Sequence, residues 1–264
     1  MKLYLCPNLF TNAQEKALLT CLRQFRDVWQ AGCAMSPAHA EQLFGVAGRK
    51  DYLSFGPEEA DLLVAVGGDG SVLRAAQTAV RVQKPLLGIN IGRLGYLCAL
   101  PLSALTDSTP DLLNGLTLSR RSLLRFSLNG QEHYALNDIT VVKSRFGETI
   151  ELSVHSGATH AHWIGDGIIL STPTGSTAYN HSAGGPVIAP DVPAFCATPI
   201  CPHSRDTSPM VVSDRNIIRI DLIRSPANTA EIFCDGTHAG DITSHLLVDR
   251  HPKDLLLVTA PANS

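Results

Sequence analysis

The nearly continuous apolar run DLLVAV (61–66) stops abruptly at GGDGS (67–71), and no other stretch constrains the fold as strongly. An apolar run without alternation suits a strand covered on both faces, as in a parallel sheet flanked by helices. Residues 71–82 then take helical spacing, and 85–91 read as a second buried strand. Strand, glycine-rich turn, helix and strand form a βαβ unit. Its turn falls at the carboxyl end of a strand, the edge where open α/β sheets bind ligands. Upstream, 2–6 is a short strand, and Thr11 with Gln14 three residues on makes a capping box. Leu18, Leu19, Leu22 and Phe25 give the helical period that follows, and Ser36-Pro37 marks another helix start.

Beyond residue 102 the period shortens. Segments 123–128 and 132–142 flank Asn129-Gly130, a strong hairpin signal. Further short strands are expected at 150–155, 160–164, 168–170, 216–223 and 231–234, with one helix near 176–183. The second part is therefore β-rich, and Pro and Ser at 106–110 suggest a boundary. The last apolar run, 254–259, either pairs there or returns to the first part.

Composition removes several classes. With 264 residues the chain has room for one large domain or two ordinary ones, and 44% hydrophobic residues suffice for a core. A net charge of −3 without a basic block argues against a general nucleic-acid binder. No apolar run nears the ~18 residues that span a bilayer. The opening MKLYLCPNLF meets Pro7 and Asn8 too early for a signal peptide. Seven cysteines without paired spacing are what a reducing cytoplasm allows.

Two segments carry chemistry and are expected to serve one kinase-type site. In GGDGS, Gly67, Gly68 and Gly70 permit a sharp turn and close approach to a ligand, and N–H groups at the following helix attract anions. Asp69 is unusual there, because a carboxylate repels phosphate; it suits accepting a proton from an attacking hydroxyl, or helping to hold Mg²⁺. A tight turn with Asp69 capping the helix weighs about equally on the pentapeptide alone. Neither the P-loop nor the G-x-G-x-x-G pattern is present. In STPTGSTAY (171–179), Thr172, Thr174, Ser176 and Thr177 offer hydroxyls, Gly175 allows close approach, and Tyr179 can stack on an aromatic ring. Asp166-Gly167 precede it and Gly184-Gly185-Pro186 follow. Asn137-Asp138 interrupts an apolar strand, where a polar pair needs partners; an amide and a carboxylate suit a base edge and ribose hydroxyls, against a solvent-facing strand end.

Together these segments resemble the NAD kinase family of the ATP/polyphosphate type. The matching pieces are GGDGSVLRAA (67–76), GINIGRLGYL (88–97), LNDITV (136–141), GDGIILSTPTGSTAYNHSAGGPVIAP (165–190) and TPICPHS (198–204), in the family's order. GGDG is shared with lipid and sugar kinases; the long segment ending in GGP is far more specific. The resemblance implies a Rossmann-like α/β domain with a parallel sheet (1–105) and a β-rich, sandwich-like domain (106–244), the tail of about 245–264 returning to the first. It implies that Asp69 draws the proton from the 2′-hydroxyl of the NAD adenosine ribose, with Gly70 beside the dinucleotide. It implies that Tyr96 lies near the adenine, that Asn137 and Asp138 bind ribose, and that Asp166 holds the nicotinamide end, often across a subunit interface. Thr174, Thr177, Ala178, Tyr179 and Ser182 correspond to the adenosine pocket, and Gly67, Gly68, Gly70 and Ser71 to the phosphate-donor loop. NAD and ATP or polyphosphate as substrates, Mg²⁺ as the metal, a homodimer or homotetramer, and a cytoplasmic enzyme without nucleic-acid or membrane partners complete the expectation.

The chain departs from the pattern at four places. Asp138 stands for the usual Glu, His181 for Leu or Lys, Ile164 for an Arg common before GDG, and 205–209 differ from the usual continuation. Arg74 and Arg93 flank the Gly-rich region, where either meets phosphate or serves only the surface; Arg74 joins the NAD-binding set. His160 and His162 have the spacing of a metal pair but no third ligand, Cys196 and Cys201 read as packed thiols, and Asp235-Gly236 as a simple turn. A lipid or sugar kinase sharing GGDG and a non-catalytic dinucleotide sensor remain alternatives, the latter disfavoured by a retained base.

Overall fold

The computed structural model describes residues 1–7, 11–92, 95–106, 108–204 and 207–260. Arg93, Arg205 and Asp206, singled out in the sequence, lie outside the described residues. The chain divides into two compact units, Met1–Arg120 with Leu255–Ser264, and Arg121–Asp254.

Unit 1 opens with β1 (Lys2–Pro7), β2 (Gly32–Met35), β3 (Leu62–Gly67), β4 (Leu86–Asn90), β5 (Leu100–Pro101) and β6 (Thr117–Arg121). Its helices are α1 (Asn12–Arg23), α2 (Pro37–Gly48), α3 (Asp69–Val82) and α4 (Leu102–Thr106). The Thr11–Gln14 capping box starts α1 as the sequence predicts, each side chain bonding the other's backbone N–H. Every residue of β3 is buried, and its neighbours β1 and β4 run parallel to it. Chain order β1, β2 to one side and β3 to the other makes a switch point at the carboxyl ends of β1 and β3, where GGDG sits.

Unit 2 is built from β7 (Leu124–Leu128), β8 (Gln131–Ala135), β9 (Asp138–Lys143), β10 (Ile150–Ser156), β11 (Thr159–Gly165) and β12 (Gly167–Ser171). The short helix α5 (Tyr179–Ser182) precedes β13 (Ala194–Ile200), β14 (Met210–Ser213), β15 (Ile218–Arg224), β16 (Ala230–Cys234), β17 (Thr237–Ile242) and β18 (His245–Arg250). One six-stranded sheet has the order β11-β10-β15-β18-β7-β8, the other β14-β13-β12-β9-β16-β17. Their strands pair antiparallel, and the apolar faces of the two sheets share one core that includes Phe126, Ile139, Leu152, Phe195 and Ile220. This is a β-sandwich. The last strand, β19 (Leu255–Thr259), leaves it and inserts into the unit 1 sheet between β4 and β6, parallel to β4.

Two expected elements are split. The run 132–142 is two strands, because β8 belongs to one sheet and β9 to the other; the chain crosses at Leu136–Asn137. The helix expected near 176–183 is a 3₁₀ turn, Gly175–Thr177, and the single turn α5, broken at Ala178 (φ −94°, ψ −127°).

Candidate active site

The Gly-rich loop follows directly from β3. Gly67 has φ +152°, and a Cβ there would collide with the Ser71 hydroxyl, so glycine is required. Gly68 is the N-cap residue, in extended conformation and with no side chain to cap with, and α3 begins at Asp69, two residues earlier than the spacing predicts. Asp69 is therefore inside the helix rather than its cap. Its carboxylate turns away from the helix and accepts the N–H of Tyr96 at 2.8 Å and of Leu97 at 3.1 Å, one on each oxygen. A side chain at Gly95 would strike that carboxylate. Two donors fix its orientation and leave lone pairs for a third. Next to it the Cys98 thiol is pushed up to about 12, by burial first and then by the Asp69 charge, so it remains protonated.

In unit 2 the STPTG segment folds largely upon itself. Thr172 donates its hydroxyl to the Leu136 carbonyl at 2.5 Å and accepts the Gly175 N–H at 3.1 Å. The Ser176 hydroxyl meets the Pro173 and Ile188 carbonyls and accepts the Ile188 N–H. Asn180, fully buried, donates to the Ser176 and Pro186 carbonyls and accepts the Thr198 hydroxyl at 2.6 Å. Thr172 and Ser176, expected to offer hydroxyls outward, thus satisfy buried backbone instead. The GGP turn is part of the same structure: a Cβ at Gly185 would strike Asn180. Outward remain Thr177, the Tyr179 ring at 45% exposure, and Ser182, with Ala178 partly covered and Thr174 buried.

Asn137 and Asp138 lie where the chain crosses between sheets. The Asp235 carboxylate accepts the N–H groups of Leu136, Asn137 and Asp138 at 2.8, 2.8 and 3.1 Å. Asp138 is buried, and its carboxyl is pushed up to about 7, by burial first and by Asp235 second. Burial, then Cys201, Asp138 and Asp166, raises the Tyr179 phenol, so Asp138, Asp166 and Tyr179 share one electrostatic neighbourhood. Asp166 sits at another sheet crossing, between β11 and β12, paired with Lys143 at 2.6 Å.

The expected residues therefore form two sets. Gly67, Gly68, Asp69, Gly70, Ser71, Arg74 and Tyr96 belong to unit 1, the remainder to unit 2. Arg74, exposed on α3, borders a hollow of about 340 Å³ with Tyr4, His39, Ser71 and Arg81; Asp69 does not line it. A larger hollow of about 490 Å³ on β7 and β18 contains none of the expected residues, and its Arg125 is tied to Asp249 and Glu132. His162 bonds Glu151 and His160 lies against His155; among the described residues no three ligating side chains gather. Cys196 is buried, but Cys201 is exposed, with φ +46°, rather than packed.

The family model described as ATP-NAD kinase N-terminal domain matches residues 20–117, and that described as ATP-NAD kinase C-terminal domain matches residues 136–249. The NAD kinase of Solibacter usitatus is 36% identical over 214 residues, covering 78% of this chain and 74% of its own. That of Methanopyrus kandleri is 35% identical over 199 residues, covering 74% and 71%. The chain belongs to the NAD kinase family. It is a phosphotransferase, and neither a lipid or sugar kinase nor a sensor is supported by these relatives.

Solved NAD kinase structures share the fold. Yeast NADH kinase complexed with NADH superposes with a TM-score of 0.82 at 23% identity, covering all of this chain and 84% of that one. An NAD kinase from Archaeoglobus fulgidus in complex with ATP gives 0.74 at 23% identity, covering 99% and 94%. Within this NAD kinase fold the sequence reads Asp235 as no more than a turn residue and assigns no role to Lys143 or Asn180. Asn180 lies inside the specific segment; the functional ties of the other two are contacts remote in sequence.

Proposed function

We propose that the chain moves the terminal phosphoryl group of ATP to the 2′-hydroxyl of the adenosine ribose of NAD, giving NADP. In this reading the hydroxyl oxygen attacks the γ-phosphorus, its proton passes to the Asp69 carboxylate, and the bond from the γ-phosphorus to ADP breaks. The observation that carries the reading is the Asp69 carboxylate, aimed by the Tyr96 and Leu97 N–H groups at the mouth of the Gly-rich loop. N–H groups at the start of α3 suit the charge on the transferred group.

Unit 2 supplies recognition. Asn137 and Asp138 hold ribose and neighbouring groups, while Thr174, Thr177, Ala178, Tyr179 and Ser182 line the adenosine site, with Tyr179 as the exposed aromatic platform. Gly70 and Tyr96 serve as dinucleotide contacts, Arg74 as a contact to its phosphates, and Asp166 as a contact to the nicotinamide end. Mg²⁺ would be carried by the phosphates of the donor. The loop's one carboxylate, Asp69, would be the residue within reach of a cation held chiefly by substrate phosphates. When bound, the cation neutralises phosphate charge.

We read the protein as a cytoplasmic homodimer or homotetramer. Seven free thiols suit a reducing compartment. No helix among the described residues is long and apolar enough to cross a membrane. Phe146, fully exposed beside Lys143, suits a subunit contact near Asp166.

The test is purified protein with NAD, Mg²⁺ and either ATP or polyphosphate, read by an NADP-specific dehydrogenase. Donor-dependent NADP formation is expected. No NADP with either donor, alongside phosphorylation of diacylglycerol or a sugar phosphate, would refute the reading.

A further inference from the structure

We infer that Asp235, in the turn between β16 and β17, is the positioning residue for the Asn137–Asp138 dinucleotide contact. The inference rests on the reading above, in which those two residues meet NAD.

The need for such a residue follows from the topology. Between the end of β8 at Ala135 and the start of β9 at Asp138 the chain passes from one sheet to the other, so Leu136 and Asn137 have no ladder partner for their N–H groups. Unpaired backbone donors in a covered position are costly. Asp235 takes both, and the Asp138 N–H as well, on its two carboxylate oxygens. It reaches them because β16 pairs with β9, Cys234 opposite Ile139, and because its own N–H returns to the Asp138 carbonyl at 3.0 Å.

The turn alone does not explain this. Asp235 and Gly236 have φ of +47° and +77°, a two-residue hairpin that Asn-Gly would form as well. An asparagine, with one acceptor oxygen, cannot take three N–H groups on two atoms. Nor is the arrangement the one stability alone would select. Burial first, and the Asp235 charge after it, together push the Asp138 carboxyl up to about 7. Two neighbouring carboxylates are tolerated where one orients the backbone that carries the other.

The opposite side of the crossing is held too. The Leu136 carbonyl accepts the Thr172 hydroxyl, and the Asn137 carbonyl accepts the Thr172 N–H at 2.9 Å. Asp235 thus grips the donors of the crossing and Thr172 its acceptors, which leaves the side chains of Asn137 and Asp138 as its free parts.

Asp235→Asn in the full chain tests the inference, with KM for NAD and for ATP, kcat, thermal midpoint and the pH profile measured together. KM for NAD should rise about tenfold or more, as for a misplaced binding group, while KM for ATP changes less than about twofold. The groups facing Asp138 are Asp235 and Cys234 from the β16 side and Tyr179 from α5. With the Asp235 charge gone, the pH at which KM for NAD falls should move below that of wild type, which reports that Asp138 is the group titrating in NAD binding, while the split between the two KM values reports the positioning. An unchanged KM for NAD, or equal rises for both substrates, would overturn the inference. Should Asp235→Asn fail to fold, Thr172→Val releases the other side; it should give the same NAD-selective rise, and parallel rises would again overturn it. Asp138→Asn separates the two ideas. If it leaves KM for NAD unchanged, the reading of Asn137–Asp138 fails; if it raises KM while Asp235→Asn does not, only the positioning role fails.

Discussion

Asp69 has each oxygen engaged by one backbone N–H, so the variant Asp69→Asn loses more than a base: its amide nitrogen must face a donor. We expect kcat to fall by roughly 10²–10⁴-fold, the usual worth of a positioned base, with the NAD dissociation constant nearly unchanged. Near-normal turnover would remove Asp69 from the mechanism. Asp138 makes a prediction of the opposite kind, about stability. Its folded pKa of about 7 lies above the ordinary 3.8, so the ionised form is the disfavoured one. Its contribution to stability is complete below about pH 4 and is lost as pH rises through about 7. Asp138→Asn cannot ionise, and its stability advantage over wild type should grow by on the order of 2–3 kcal/mol between pH 5 and pH 8. A pH-independent difference in denaturant unfolding would contradict the assignment. At this scale the sequence is legible where function is local. Asp69 and Tyr179 stand out from their own neighbours, whereas Asp235 shows only a turn, because the N–H groups it holds are 97 to 99 residues away.

Elements are legible where one periodicity runs from end to end. The buried β3, the capped α1 and the Asn129-Gly130 hairpin were open to reading because propensity, capping and burial agree there. The run 132–142 was not, since nothing local distinguishes a strand that continues from one that changes sheets after Ala135. Residues 171–179 misled in another way. Their hydroxyls look like ligand contacts, but a compact loop must first satisfy its own backbone, and Thr172 and Ser176 do that. The closeness of this loop to the crossing yields a prediction. A Cβ on Gly175 would overlap the Asn137 backbone, which cannot yield as a flexible side chain would. Gly175→Ala should therefore cost about 1–3 kcal/mol, typical of overpacking, and raise KM for NAD more than KM for ATP. Wild-type melting and kinetics would mean that the loop and the crossing are not mechanically joined.

Across the whole molecule the arrangement turns on the last strand. The sequence left two destinations open for 254–259, because LLLV suits any buried strand; the partner is decided by parallel pairing with β4, far back in the chain. β19 completes the unit 1 sheet between β4 and β6 after the chain has built all of unit 2, so unit 1 closes only when the C-terminal strand returns. Leu257, with no exposure, stands opposite Leu86 in that strand. Leu257→Ala should cost about 2–5 kcal/mol through lost burial and a residual cavity. Because the two units have separate cores, that loss should be confined to one of them. Amide hydrogen exchange should accelerate in β3, β4 and β6 while β9, β12 and β16 keep their protection. Equal acceleration in both sets would show that the units open together, and that β19 closes a single cooperative body instead of one sheet.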